Sequence, residues 1–345
     1  MSEISLALYR KYRPETFDDV RNQEHIVSVL KGALSKGMVP HALLFTGSRG
    51  TGKTSVARIF ARAVGAQDVD IYEMDAASNR GIDDIRELKE SVHTLPFESP
   101  YKVYIIDEVH MLSKDAFNAL LKTLEEPPQH VIFILATTEK DKVLDTIISR
   151  CQVFEFRAPT QAELRDVVLS VAKKEKFTLD TGAADVIALA ADGSYRDALG
   201  ITQKVMMASL DATLTADEVS QVVGAPKNAL LQDVLTSLAT KDVEKGLSAL
   251  QEAHTAHVDM KLFYRLLLQR IRCIMLMRHN PKNAEQIGAE FSADDRKFLN
   301  EQANDIKSPI NSHLLVKTLS LGEYVGKSHI AELPLELLII ENSTI

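Results

Sequence analysis

The chain has 345 residues, 45% of them hydrophobic and 26% charged, with a formal net charge of −8; that length exceeds one ordinary core, so two or three domains are expected. The acidic balance excludes a protein that coats nucleic acid with its whole surface, while leaving room for a local basic path. Two distant cysteines, Cys151 and Cys273, make neither a disulfide framework nor a zinc motif, and no run is apolar enough for a membrane span or a signal peptide, so a reducing cytoplasm is the expected compartment.

In chain order, Leu8 to Gln23 interleaves cations with aromatics until Pro14 forces an extended turn. Tyr9, Tyr12 and Phe17 are expected to pack on the domain, with Arg10 and Arg13 facing a ligand or a neighbour; the plainer alternative is an ordered N-terminal arm. Helical periodicity follows at Ile26, Val29, Leu30 and Leu34 and stops at Gly37. Ala42 to Phe45 reads as a buried strand running into a glycine-rich turn. There Gly47, Gly50, Gly52, Lys53 and Thr54 match G-x-x-x-x-G-K-[ST] at every fixed position. Glycines let successive N–H groups point at one polyphosphate, and the helix start at Lys53 adds a positive dipole end. The expected nucleotide cradle is Gly47, Ser48, Arg49, Gly50, Thr51, Gly52, Lys53, Thr54 and Ser55, with Lys53 on the outer phosphates and Thr54 on Mg²⁺.

Val56, Ile59, Phe60, Ala63 and Val64 share a helical face that Gly65 ends, and Val69, Ile71 and Met74 suggest a second strand. A charged helix spans Ile82 to Val92. Val103 to Ile106 is a third strand delivering Asp107 and Glu108. Ser113 caps a helix through Leu124, which Pro127 and Pro128 terminate. Val131 to Ala136 is a fourth strand ending in Thr137 and Thr138, expected between the first and third. A short helix, Leu144 to Ile148, precedes Ser149-Arg150-Cys151, and Val153 to Phe156 is a fifth strand. Strands alternating with helices indicate a parallel sheet covered on both faces. From Pro159 onward the chain reads as helical to its end, with capping boxes at Thr160/Glu163 and Thr215/Glu218. Gly224-Ala225-Pro226 reads as a linker, the longest helix runs from about Met260 to Met277, and the apolar run Leu333 to Ile340 is expected to be buried. The expected divisions are 1–158, 159–223 and 224–345.

The chemistry-bearing residues cluster at strand ends. Asp107 is expected to hold Mg²⁺ and Glu108 to polarise a water in line with the γ-phosphate. Thr138 is favoured over Thr137 to hold that water or sense the phosphate, although either threonine also reads as a plain β-branched strand end. Arg150 reads as a surface ion pair or, more sharply, as a planar cation aimed at a neighbouring subunit's γ-phosphate. Arg196, in Gly193-Ser194-Tyr195-Arg196-Asp197, reads either as closing a second domain on nucleotide or as a local ion pair with Asp197 or Asp192. Ala77 to Gly81, with Arg80, and Ser113-Lys114 open helices and so offer N–H groups to a nucleic-acid backbone, or are mere caps. Cys151 and Cys273 read as packing residues, and His110 has no assigned role.

Together, Tyr9-Arg10-Lys11-Tyr12-Arg13-Pro14, Gly47 to Thr54, Asp75-Ala76-Ala77-Ser78-Asn79, Asp107 to Leu112, Leu124-Glu125-Glu126-Pro127-Pro128, Ala136-Thr137-Thr138 and Ser149-Arg150-Cys151 closely resemble the bacterial DNA polymerase III gamma/tau family, the ATPases of the sliding-clamp loader. The resemblance covers essentially the whole chain. It implies an α/β AAA+ P-loop domain with a parallel five-stranded sheet, an all-α lid, and an all-α collar that builds a pentameric ring with other clamp-loader subunits. It implies ATP and Mg²⁺ as cofactors, an arm with Arg10 and Pro14 flanking the adenine, Arg150 acting in trans and Arg196 as the lid sensor. ATP binding is then expected to open the clamp and admit primer–template DNA, held through backbone contacts, and hydrolysis to release the loaded clamp. Replication factor C small subunits look similar at Tyr12-Arg13-Pro14 and Ser149-Arg150-Cys151, but Val109 to Ser113 fits the bacterial family better. The sequence departs from that family twice. Val64-Gly65-Ala66-Gln67-Asp68 stands where a four-cysteine zinc module is usual, so no zinc is expected. The chain stops at Ile345, so a short form without the tau tail is expected. No polymerase signature is visible, and a polymerase label would belong to the holoenzyme. The rival readings are a low-turnover nucleotide-binding scaffold and a different AAA+ DNA-processing machine.

Overall fold

The computed structural model describes residues 6–79, 81–209, 211–288, 291 and 293–344. The chain divides into two compact units, Met1–Leu214 and Thr215–Ile345. In the first, α1 (Leu8–Lys11) and α2 (Glu24–Ser35) precede a βα alternation: β1 (Ala42–Thr46), α3 (Lys53–Ala63), β2 (Ile71–Asp75), α4 (Ile82–Val92), β3 (Lys102–Asp107), α5 (Lys114–Glu125), β4 (Val131–Thr137), α6 (Asp145–Ile148) and β5 (Gln152–Glu155). The five strands form one parallel sheet in the order β2-β3-β4-β1-β5. The fourth strand therefore lies between the first and third, as expected.

Period-two alternation explains why the central strands are apolar throughout. Leu43, Phe45, Val103, Ile105, Ile132 and Ile134 point to one face and pack on Ile26, Leu30, Val56 and Phe60 of α2 and α3. Leu44, Tyr104, Ile106, Phe133 and Leu135 point to the other and pack on Ile85, Val92, Phe117, Leu120 and Leu124 of α4 and α5. Three inward assignments need correction, the first being Ala63, which is exposed at the last residue of α3. Val29 is 47% exposed, because the buried stripe of α2 runs through Ile26 and Leu30 at i, i+4 and leaves Val29 on its flank. Val69 is 49% exposed, because Asp68–Asp70 is a 3₁₀ turn and β2 begins only at Ile71.

The remainder of the first unit is α7 (Gln161–Lys174), β6 (Thr178–Leu179), α8 (Thr181–Ala190), α9 (Tyr195–Ala208) and β7 (Thr213–Leu214). The expectation of helix alone after Pro159 is corrected here, since β6 and β7 pair in parallel; two-residue strands are too short to carry a period. The N-terminal arm packs on these helices. Leu8 is buried with Val171 and Leu199 beside Tyr9 and Tyr12, and Tyr12 and Lys11 both donate to Glu175. Phe17 instead joins the sheet core.

The second unit is helical: α10 (Ala216–Val223), α11 (Asn228–Thr240), α12 (Val243–Thr255), α13 (Met260–His279), α14 (Ala284–Ile287), α15 (Ala293–Asn304), α16 (Ser312–Leu321) and α17 (Leu333–Thr344). Phe263, Leu267, Ile271 and Ile274 of α13 centre its core, against Leu231, Val234, Leu250 and Leu338. Of the C-terminal apolar run only one face is buried. Leu335, Leu338 and Ile339 point inward, while Leu333, Leu337 and Ile340 are 37%, 41% and 43% exposed. Among the described residues no helix is long and apolar enough to cross a membrane.

Candidate nucleotide site

The loop between β1 and α3 is built on positive φ angles at Gly47, Gly50 and Gly52 (140°, 75° and 99°), conformations that a side chain resists. Close approach adds a second constraint. A Cβ at Gly47 would sit 2.5 Å from the Phe156 carbonyl oxygen, and one at Gly50 would sit 2.0 Å from Ser194 Oγ. Ser194 caps α9, and the Tyr195 N–H donates to the Gly50 carbonyl at 3.1 Å. The helical part of the unit thus rests directly on the glycine loop.

Lys53 lies in the first turn of α3, only 6% exposed, and its ammonium donates to the Gly47 and Ser48 carbonyls at 2.7 and 2.8 Å. Burial lowers its pKa; the charges of Glu108 and Asp107 oppose that shift. The Thr54 hydroxyl donates to Asp107 Oδ2 at 2.6 Å, because β3 ends beside the start of α3. Thr51 donates to the Ser48 carbonyl at 3.0 Å, and Arg13 Nε donates to Ser55 Oγ at 3.0 Å. The arm therefore meets the first turn of α3 through Arg13. Arg10 is exposed, its guanidinium 5.8 Å from the Tyr9 ring, and Pro14 is half-buried.

Glu108 adopts a left-handed conformation (φ 49°, ψ 43°), uncommon for a non-glycine residue and typical of strained functional turns. Its Oε2 accepts from the Thr138 N–H at 3.3 Å and the Thr138 hydroxyl at 2.9 Å. A 3₁₀ turn, Val109–Met111, then brings the His110 ring back to the same strand end. Its Nδ1 lies 2.9 Å from Thr137 Oγ1 and 3.4 Å from Glu108 Oε2, and its Nε2 lies 3.3 Å from Glu139 Oε1. Sequence reasoning had Arg13 facing a ligand or a neighbour but not its Ser55 partner, and it left His110 without a role. Their partners lie far along the chain, and the only local signal was the position of His110 just past the acid pair.

Arg150 follows α6 and is one-third exposed, donating to Glu125 Oε1 at 2.5 Å and to the Thr146 carbonyl at 2.7 Å. Arg196, the second residue of α9, places its guanidinium 4.9 Å from the Tyr9 ring centroid, a cation–π contact that joins arm and helix. Ser113 is a true N-cap, accepting from the Ala116 N–H at 3.2 Å. Arg80 lies outside the described residues. Cys151 is half-buried, and burial pushes its thiol up to about 12, which makes it unreactive at neutral pH. Cys273 is buried in the second unit's core.

The residues fit a magnesium nucleotide. The loop's close-packed glycines leave no room for side chains, one buried cation points into it, and a hydroxyl–carboxylate pair stands where a hard cation would sit. Among the described residues no group of three His, Cys, Asp or Glu side chains is placed to hold a metal.

Fold and site together define an AAA+ phosphate-loop module followed by helical domains. In fold it is similar to the Thermotoga maritima RuvB Holliday junction branch migration motor (TM-score 0.52, 21% identity, covering 66% of this chain and 79% of that one). A family model described as DNA polymerase III, delta subunit, matches residues 63–160, and one described as DNA polymerase III subunits gamma and tau domain III matches 214–341. The DNA polymerase III subunit gamma of Buchnera aphidicola is 35% identical over 79% of this chain and 80% of its own. The tau subunit of Bacillus subtilis is 44% identical over 71% of this chain, and the gamma/tau subunit of Mycobacterium tuberculosis 34% identical over 93%. The chain spans 47% and 60% of the lengths of these last two relatives. The chain belongs to the DNA polymerase III gamma/tau family.

Proposed function

We propose that this protein is an ATP-hydrolysing motor subunit of a sliding-clamp loader, working in the cytoplasm in a pentameric ring with other loader subunits. In this reading ATP binding opens the clamp and admits primer–template DNA, held by its backbone, and hydrolysis releases the loaded clamp. Residues 1–158 form the AAA+ module, 159–223 the lid and 224–345 the collar. The observation that carries the reading is the 2.6 Å bond between Thr54 and Asp107 at the mouth of the three-glycine loop, with Glu108 as the next residue. When bound, Mg²⁺ supplies charge neutralisation between phosphate oxygens. Thr54 and Asp107 would hold that ion. Lys53 exchanges its carbonyl acceptors for the outer phosphates. Glu108, aligned by Thr138, takes a proton from the attacking water. Arg150 stabilises the transferring group of a neighbouring subunit, and Arg196 reports lid closure. Family membership supports the assignment to a loader.

The test is the ATPase rate of the reconstituted loader, with and without sliding clamp and primed DNA, beside Glu108→Gln and Arg150→Ala. Stimulation that needs both clamp and DNA and disappears in both variants is expected. A rate indifferent to the clamp would point to another AAA+ machine, and negligible turnover under every condition to a nucleotide-binding scaffold.

A further inference from the structure

The Glu108 side chain leaves a left-handed backbone position and carries several free torsions, so its carboxylate has to be fixed from outside. Thr138 provides one fixing point, donating its N–H and hydroxyl to Oε2. The second group at the same oxygen is the His110 ring, 3.4 Å away through Nδ1. That ring is itself held. Its side chain is 5% exposed, Nδ1 lies 2.9 Å from Thr137 Oγ1, and Nε2 lies 3.3 Å from Glu139 Oε1. Thr137 Oγ1 also accepts the Glu139 N–H at 3.0 Å, and Glu139 pairs with Lys142 at 2.7 Å. The ring is thus hydrogen-bonded to Thr137 at the end of β4, with a carboxylate oxygen of Glu108 and one of Glu139 within 3.4 Å of its nitrogens.

We propose that His110 is a positioning residue for Glu108, bracing its carboxylate together with Thr138 and tying it through Thr137 and Glu139 to the end of β4 and the turn after it. The proposal rests on the ATP-hydrolase reading above. A buried ring hydrogen-bonded to Thr137 cannot swing away, so it narrows the positions open to the carboxylate beside it. Thr138 and His110 meet the same oxygen, Oε2, from two different elements, the end of β4 and the 3₁₀ turn after β3, so the carboxylate is confined between them.

The full chain in the reconstituted loader tests this. In His110→Ala, kcat for ATP falls about 10- to 100-fold, the penalty of a misplaced group, while KM stays within about twofold. His110→Asn, whose amide reaches the place of Nδ1, recovers kcat to within about threefold of the parent, and His110→Leu, which fills the volume without hydrogen bonds, stays low. The reverse ranking, with Leu active and Asn inactive, would reduce His110 to packing and overturn the proposal, as would a rise in KM with kcat unchanged. If the parent hydrolyses no ATP with clamp and DNA present, the functional reading fails. The contact is then read separately from the imidazole ¹⁵N shifts of His110 in the parent and in Glu108→Gln. A change at Nδ1 upholds the brace, and identical spectra overturn it.

Discussion

Lys53, proposed above to bind the outer phosphates, is held ready at a cost to the fold. Its ammonium is nearly inaccessible and is satisfied by two carbonyls, neutral acceptors weaker than a phosphate oxygen. Burial lowers its pKa, so the unfolded chain holds this proton more tightly than the folded one. By linkage, the group's contribution to stability improves as pH rises through its folded pKa toward the unfolded value. Replacing a buried charge with an apolar side chain of similar length is often neutral or stabilising. Lys53→Met is therefore expected to melt within about 3 °C of the parent, while losing the rise in Tm that excess MgATP gives the parent. Thermal melts with and without nucleotide check both halves. A variant that unfolds many degrees lower would make Lys53 a structural residue instead.

Among the elements, the junction before β3 depends on one carboxylate. Asp70 is completely buried and accepts the N–H groups of Phe97, Glu98 and Ser99 at 2.6, 2.9 and 2.9 Å. Burial by itself would raise its pKa, but these donors outweigh it and hold the carboxyl below the usual range. A depressed carboxylate adds stability above its unfolded pKa, near 3.9, and loses it as pH falls through the folded value. Asp70→Asn, which places an amide donor against N–H donors, is expected to cost about 2–3 kcal/mol at neutral pH. Hydrogen exchange at the three amides then speeds up by about 100-fold. The gap between variant and parent persists to about pH 4 and narrows only below it. This staple also marks where the sequence stopped being informative. The central strands were legible because burial on both faces makes them continuously apolar, and the helix starts at Thr160 and Thr215 because capping is local. The Asp70 bonds, the Arg13–Ser55 contact and the β6–β7 pairing join distant segments without any periodic signature.

At the scale of the whole molecule, the proposal that Arg150 acts on a neighbouring chain's phosphate loop can be tested by complementation. Among the described contacts, Arg150 is tied to Glu125 and Thr146 at the end of α6, whereas Lys53, Thr54, Asp107 and Glu108 gather at the ends of β1 and β3. The Arg150 side chain is one-third exposed and neither of these partners belongs to the loop. If Arg150 acts in trans, two inactive chains should repair each other. Arg150→Ala keeps an intact Glu108, and Glu108→Gln keeps an intact Arg150. Mixed during assembly, they create some interfaces in which both groups are parental. The mixture should hydrolyse ATP at least about tenfold faster than either variant assembled alone, given the large rate contribution expected of such an arginine. A mixture no faster than the variants would place Arg150 in its own chain's site, or outside the chemistry altogether. Adding the second variant only after rings have formed should give no recovery, since repair requires that the two chains be neighbours from the start.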